Sequence, residues 1–320
     1  MGSILEGKFI RSDMTSNAMG GTELLAHRLI DNVDSKLLQG IQIHQSRVND
    51  VDETKKQVLW VHDLAEDPAV SHLKDEGWKK YDLIVFVSHW QQEQYKLFLG
   101  VPYDMGIVIP NAIVPIEDHK KPDDGVIRLI YTSTPQRGLQ ILAPIFHILS
   151  QKYSDIELDV FSSFKLYGWG ERDEPFKPLF KELDDHPKIN YHGAKSNDEV
   201  RETLKKSHIF AYPSIWKETS CLCLIEAMSA NLLPVHSSLG ALSETSMGMN
   251  MIYEYKEDFD DHARALLANL DFAIMNVKEN RNAVEQSLKY RKPLIDNYYG
   301  VDRFANKWST VLGSLLTKDQ

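Results

Sequence analysis

The sequence predicts an α/β protein of two domains, the second built on a doubly wound parallel sheet. Its 320 residues exceed the ~100–200 of an ordinary single domain. Hydrophobic residues make up 42% and charged residues 26%, the mix of a chain that folds into packed cores. Above all, the last two thirds alternates strand-like runs with helix-like ones, the order that builds a parallel sheet covered by helices.

Along the chain, a short first strand falls around Lys8–Ser12. An amphipathic helix runs from Thr22 to about Val33, followed by strands at Gln57–His62, Leu83–Ser88 and Gly106–Pro110. This is a pared-down version of the Rossmann-like theme. Pro115–Gly125, rich in Pro, Asp and Lys and without apolar periodicity, reads as a linker. Beyond it come strands at Val126–Ser133, Ile156–Ser162, Ile189–His192, Ile209–Pro213 and Leu232–His236. The helices between and after them are Gly138–Tyr153, Asn197–Ser207, Leu222–Ala230 and Phe259–Asn269. Phe304, Trp308, Val311, Leu312, Leu315 and Leu316 fall on one stripe of a last helix, which must bury that face. The expected division is residues 1–115, 116–292 and a helical tail, 293–320, returning toward the N-terminal domain.

Composition excludes several functions. The formal net charge is −10, with acid in excess in both halves, so neither half is a basic nucleic-acid module. The longest apolar runs, such as Leu83–Val87, fall far short of the ~20 residues that span a bilayer, and no leader pattern opens the chain. The two cysteines, Cys221 and Cys223, are too close to pair readily and lack the company a zinc site requires. A cytoplasmic protein with no metal and no cofactor is expected, with peripheral membrane contact left open. There is no G-x-x-x-x-G-K-[ST] loop, no G-x-S-x-G elbow, and no Asp-x-Asp at a suitable strand end.

The segment with the most chemistry is Lys217-Glu-Thr-Ser-Cys-Leu-Cys-Leu-Ile-Glu-Ala-Met-Ser-Ala230, directly after the strand ending Ala-Tyr-Pro213. Glu218 stands in a loop and Glu226 inside the helix that the loop opens. Free amides and the helix dipole converge at such a helix start, and both favour a diphosphate. Glu226 can accept from a ribose diol, and Glu218 from sugar hydroxyls. For an isolated pair of this spacing, a helix cap at Glu218 and a solvated face at Glu226 would be the favoured explanation. The surrounding order decides: strand, Pro-Ser turn, glutamate loop, small-residue helix, then Leu-Leu-Pro-Val235.

That full run resembles the donor site of glycosyltransferase family four, whose members have the GT-B fold and usually transfer sugars with retention. The family's E-x-F-G is here Glu218-Thr219-Ser220-Cys221, followed by Leu222. Tyr131-Thr-Ser-Thr-Pro-Gln-Arg-Gly-Leu139 resembles its phosphate loop, in which Arg137, followed by Gly138, would face the donor pyrophosphate. Where the family often supplies a second cation, only Thr132 and Thr134 stand, and Lys165 is a candidate to replace it. Asn17-Ala-Met-Gly-Gly-Thr-Glu23 resembles the family's N-terminal glycine loop, with Gly20 and Gly21 near the donor; a plain turn with Thr22 as helix cap is the alternative. Leu59-Trp-Val-His-Asp-Leu64 places His62 as the family's strand-end histidine at the acceptor side. Tyr191-His-Gly-Ala-Lys195 would border the nucleotide base through Ala194, and Gly240-Ala-Leu-Ser-Glu244 falls where the family has a glycine-rich stretch ending in Glu.

The resemblance implies two Rossmann-like doubly wound domains facing a cleft, and transfer from a nucleoside-diphosphate sugar to an acceptor hydroxyl. His62, Arg137 and Glu218 would be catalytic. The donor would lie on Gly20, Gly21, Arg137, Gly138, Ala194, Glu218, Thr219, Ser220, Cys221, Leu222 and Glu226. A saccharide or glycolipid acceptor is favoured over hydroxymethylated bases in DNA, the acceptors of some virus-encoded transferases of similar compactness. A catalytically silent nucleotide-sugar-binding protein is the reading from a different class.

Overall fold

A computed structural model describes residues 2–11, 20–48 and 50–317. The chain divides into two compact units: unit 1 holds residues up to Val114 together with the segment from Tyr298 onward, and unit 2 holds Pro115–Asn297.

Unit 1 begins with a hairpin, β1 (Gly2–Leu5) and β2 (Lys8–Arg11). Its turn residues Glu6 and Gly7 both have positive φ, 52° and 73°, the backbone that matches strand twist across a two-residue turn. Then follow α1 (Gly21–Asn32), α2 (Ser35–Gln39), β3 (Ile41–Gln45), β4 (Lys56–Trp60), β5 (Leu83–Phe86), α3 (His89–Leu99) and β6 (Gly106–Val108). The sheet order is β2-β1-β3-β4-β5-β6, with β3 to β6 parallel and β1 antiparallel to β3. The first strand expected at Lys8–Ser12 is therefore the outer arm of a hairpin as far as Arg11; Ser12 lies outside the described residues, as do Asn17–Met19 of the glycine loop.

Unit 2 follows the alternating pattern closely. Its elements are β7 (Ile127–Thr132), α4 (Leu139–Lys152), β8 (Ile156–Phe161), α5 (Lys177–Asp185), β9 (Ile189–Tyr191), α6 (Asn197–Leu204), β10 (Ile209–Tyr212), α7 (Leu222–Ser229), β11 (Leu233–Ser237), α8 (Leu242–Thr245), β12 (Met251–Tyr253) and α9 (Phe259–Glu279). All six strands are parallel, in the order β12-β11-β10-β7-β8-β9. Burial on both faces explains the near-continuous apolar strands: Leu129, Ile130, Tyr131, Ile209, Phe210 and Ala211 are all fully enclosed. Helix α9 runs ten residues beyond the expected end at Asn269, because Leu270, Ala273, Ile274 and Val277 continue its buried stripe.

The linker is fastened to unit 2. Ile116 N–H donates to Ser229 Oγ at 2.9 Å, and the half-buried Lys121 ammonium donates to the Ser207 and Ala230 carbonyls. The chain continues through α10 (Arg281–Tyr299) into α11 (Val301–Thr317) of unit 1, which buries Phe304, Trp308, Leu312 and Leu315. Trp308 meets Trp60 of β4 edge-on at 5.0 Å, and α11 packs on α1 and α2.

Candidate active site in the second unit

Strand order fixes where the site can form. From β7 the chain goes first to β8 and β9 on one side and only later to β10 on the other, so the strand order reverses between β7 and β10. At such a switch point the loops leaving two adjacent parallel strands part in opposite directions, and a crevice opens at their carboxyl ends. The two loops are Ser133–Gly138 and Pro213–Cys221.

They meet through charge. Arg137 Nη1 donates to Glu218 Oε1 at 2.5 Å, across 81 residues of sequence. The Glu218 side chain is 7% exposed and that of Arg137 25%. Burial opposes the guanidinium charge, but Glu218 together with Tyr212 and Tyr167 more than offsets it and holds the arginine well above its ordinary range. Arg137 Nε is enclosed and makes no hydrogen bond among the described residues, while a quarter of the side chain stays exposed, where an anion can meet it. The same Glu218 oxygen takes the Tyr212 hydroxyl at 2.5 Å.

Glycines allow this approach. Gly138, between a short turn (Pro135–Arg137) and α4, has φ 113°, and a Cβ there would stand 2.3 Å from the Pro213 carbonyl oxygen. Gly240 at φ 64° would bring a Cβ within 2.6 Å of the Glu218 backbone, which it bridges as a short parallel pair. Ala241 N–H fixes the Glu218 carbonyl at 2.7 Å.

Helix α7 starts at Leu222, with Cys221 as its N-cap at φ −93°, ψ 99°. That backbone is open to any residue, so cysteine in place of the family's glycine leaves the helix start and its amides intact. The N-cap position is Cys221, so Glu218 is not the N-cap residue. Burial raises the Cys221 thiol well above its usual range, whereas the Cys221 hydrogen bond lowers that of Cys223. Both cysteines are free thiols.

Glu226 is 4% exposed, which removes the solvated-face alternative. Asn197 Nδ2 lies 3.1 and 3.3 Å from its two oxygens, and Arg201 Nη1 lies 3.3 Å from Oε1. Thr219 and Ser220 occupy the half-buried stretch before Cys221. Lys165 is exposed on the turn after β8, and Ala194 is exposed after β9, where His192 stacks on Phe161 and meets Asp159 at 2.8 Å. Among the described residues no cluster of three or more His, Cys, Asp or Glu could hold a metal ion, and no helix is long and apolar enough to cross a membrane.

Residues 117–267 match the family model described as glycosyl transferases group 1. The matched residues lie within unit 2. An uncharacterized glycosyltransferase of Haemophilus influenzae is 25% identical over 212 residues, covering 65% of this chain and 54% of its own. The chain spans about half the length of the curated relatives it matches. Among solved structures, a glycosyltransferase from Rickettsia africae matches with a TM-score of 0.69 at 15% identity, covering 97% of this chain and 85% of the other. Anabaena Alr3699/HepE in complex with UDP and glucose matches with a TM-score of 0.61 at 14% identity, covering 81% and 72%. These likenesses show the fold, GT-B with two parallel-sheet Rossmann-like domains, and the matched residues 117–267 include both Arg137 and Glu218.

In unit 1, His62 follows β4 with its ring 4.6 Å from that of Trp60, and burial lowers its pKa to about 3. The Ser46 hydroxyl accepts from the His62 N–H at 2.7 Å. Burial, aided by Asp67, raises neighbouring Asp63 to about 6. Gly20 caps α1 through its backbone, Leu24 N–H reaching its carbonyl at 3.1 Å; Thr22 is not the cap, and Gly21 is the first helical residue. Unit 2 thus gathers Arg137, Gly138, Glu218 and the start of α7, whereas His62, Gly20 and Gly21 belong to unit 1. Sequence reasoning missed Tyr212, Asn197 and Arg201 as carboxylate partners. Their only advance signal was position: Tyr212 ends the strand before the glutamate loop, and the other two lie on the preceding helix.

Proposed function

We propose that the protein is a glycosyltransferase that moves a sugar from a nucleoside diphosphate to an acceptor hydroxyl. The observation that carries the reading is a buried carboxylate and a partly unsatisfied guanidinium, held together at the switch point beside a helix N-terminus. The pyrophosphate lies on Arg137 and the amide end of α7, where fixed dipoles and a full positive charge stabilise the departing phosphate oxygen. Glu218, with Thr219, Ser220, Cys221 and Leu222 behind it, faces the sugar. Glu226 takes the ribose, exchanging part of its contact with Asn197 and Arg201 for the diol, while Gly138 lets the backbone approach. UDP is the first diphosphate to test, because HepE was crystallised with UDP and glucose.

The reading includes retention and no metal, with pyrophosphate charge met by protein donors. The acceptor oxygen bonds to the anomeric carbon on the face from which the diphosphate leaves; the carbon–phosphate-oxygen bond breaks, and the acceptor proton passes to the departing oxygen. The acceptor is a saccharide or glycolipid. His62, neutral because its environment resists charging, would act as a hydrogen-bonding group rather than a cation.

The test is a calorimetric titration of UDP, GDP, ADP, CDP and their common sugar conjugates into wild type and Arg137→Ala, followed by product analysis with the conjugate that binds. Selective binding lost in the variant, with the anomeric configuration kept in the product, supports the reading. Failure of every nucleotide to bind removes it, and an inverted product removes retention.

A further inference from the structure

We propose that Tyr212 is the positioning residue that holds the Glu218 carboxylate ready for the sugar half of the donor, an assignment that rests on the function proposed above. Tyr212 is the last residue of β10 and is fully buried. Its ring is fixed between Phe210, stacked at 5.4 Å, and Tyr131 at 5.9 Å, so the hydroxyl has little freedom. That hydroxyl donates to Glu218 Oε1 at 2.5 Å and lies 3.4 Å from Ser133 Oγ. Burial and the adjacent carboxylate keep the phenol from ionising, so it remains a donor at any working pH.

Two features make this more than packing. Glu218 is pinned twice and independently: its backbone by the Gly240 bridge and the Ala241 N–H, its carboxylate by Tyr212 and Arg137. Removing the phenol oxygen therefore frees the carboxylate rotamer without releasing the loop. Further, both side-chain donors converge on Oε1. When a pyrophosphate recruits Arg137, Tyr212 is the group that keeps Glu218 from following the cation, and Oε2, which takes neither of these donors, is left for the ligand.

The experiment titrates the same nucleoside diphosphates and their sugar conjugates into full-chain wild type, Tyr212→Phe, Glu218→Gln and the double variant. The quantity read is the factor by which the sugar improves affinity over the diphosphate alone. Tyr212→Phe is expected to leave diphosphate binding within about twofold and to reduce the sugar factor by ~10-fold, the scale of a hydrogen bond to a charged group. Glu218→Gln should reduce the same factor, and the double variant should lose no more than the larger single loss. Equal weakening of diphosphate and conjugate by Tyr212→Phe would mean a merely structural role, and full additivity would mean that Tyr212 does not act through Glu218; either overturns the assignment. Binding of diphosphate by wild type with no sugar factor also overturns it, while the nucleotide site stands. A wild type that binds nothing in the panel overturns the functional reading and this assignment with it.

Discussion

Replacing Gly138 by alanine tests the site through its backbone. Gly138 has φ 113° and ψ 8°, beyond the left-handed region that other residues visit at a cost of ~1–2 kcal/mol. The added Cβ would stand 2.3 Å from the Pro213 carbonyl oxygen and 3.0 Å from its carbon, where ordinary contact begins at 3.4 Å. The loops after β7 and β10 must then part by roughly 1 Å, an overpacking cost of ~1–3 kcal/mol. Together these give a loss of about 2–5 kcal/mol, or roughly 5–15 °C in the melting of a domain of this size. Arg137 precedes Gly138, and Glu218 follows Pro213 in the same loop, so their 2.5 Å contact must lengthen as the loops separate. Nucleotide affinity should fall with it by ~10-fold or more. Differential scanning calorimetry with and without the nucleotide that binds wild type reads both effects. A variant melting within ~2 °C of wild type and binding as tightly would refute the argument from the Gly138–Pro213 approach.

Arg137→Ala should weaken diphosphate binding by ~10- to 100-fold, since it removes a charge-assisted contact, and calorimetric titration checks it. It should cost less stability than a fully enclosed ion pair, because Arg137 keeps a quarter of its exposure and Tyr212 still satisfies Glu218. Trp308→Ala should destabilise unit 1 by ~3–5 kcal/mol, read by urea unfolding, because a fully buried indole leaves a cavity beside Trp60 and Phe304. Acid should destabilise unit 2: burial holds His208 near pKa 3 and His236 near 4, so the unfolded chain takes up protons near pH 6.5 that the folded chain refuses. The stability they contribute is present above pH 6.5 and lost as pH falls, about 2 kcal/mol each between pH 7 and 5. A His236→Gln variant whose melting temperature falls as steeply with acid as wild type would contradict that share.

What the sequence disclosed followed the strength of its periodicity. In unit 2 the expected strands begin or end within a residue or two of the observed ones, because all-parallel strands enclosed on both faces read as short apolar runs and their covering helices carry long apolar stripes. In unit 1 the signal failed where polar groups do the packing. Strand β3 was not seen because Gln42, His44 and Gln45 are polar yet buried, Gln42 satisfied by Asp50 and Asp52 and His44 by Gln57. Helix α3 was not seen because its buried face is Gln91, Tyr95 and Leu99 while Leu97 and Phe98 are exposed, which blurs the apolar stripe. At the site, Arg137, Glu218 and Glu226 were legible from residue type and order. The partners of the two glutamates were not, since strand alternation says which way a tyrosine faces but not what its hydroxyl reaches.

The departures from the family pattern acquire a physical meaning from these contacts. Glycine is needed at a position only when the backbone requires it, and Cys221 at φ −93° shows that the loop before α7 does not. The glycines that are needed stand elsewhere: Gly138 is pressed against the Pro213 backbone across the switch point, and Gly240, after β11, against the Glu218 backbone. At Thr132, one of the two positions where the resemblance implies a second cation, the side chain is 5% exposed at the end of β7, so a guanidinium there would be buried. Two adjacent guanidiniums facing one Glu218 carboxylate would raise the cost of the ligand-free site, whereas one pairs with it evenly. On the proposed function, pyrophosphate and Glu218 would compete for Arg137. A site built this way should show a steep dependence of nucleotide affinity on Arg137 and a weak one on Thr132, and Thr132→Ser, which keeps the hydroxyl and loses only a methyl, should bind nucleotide as wild type does.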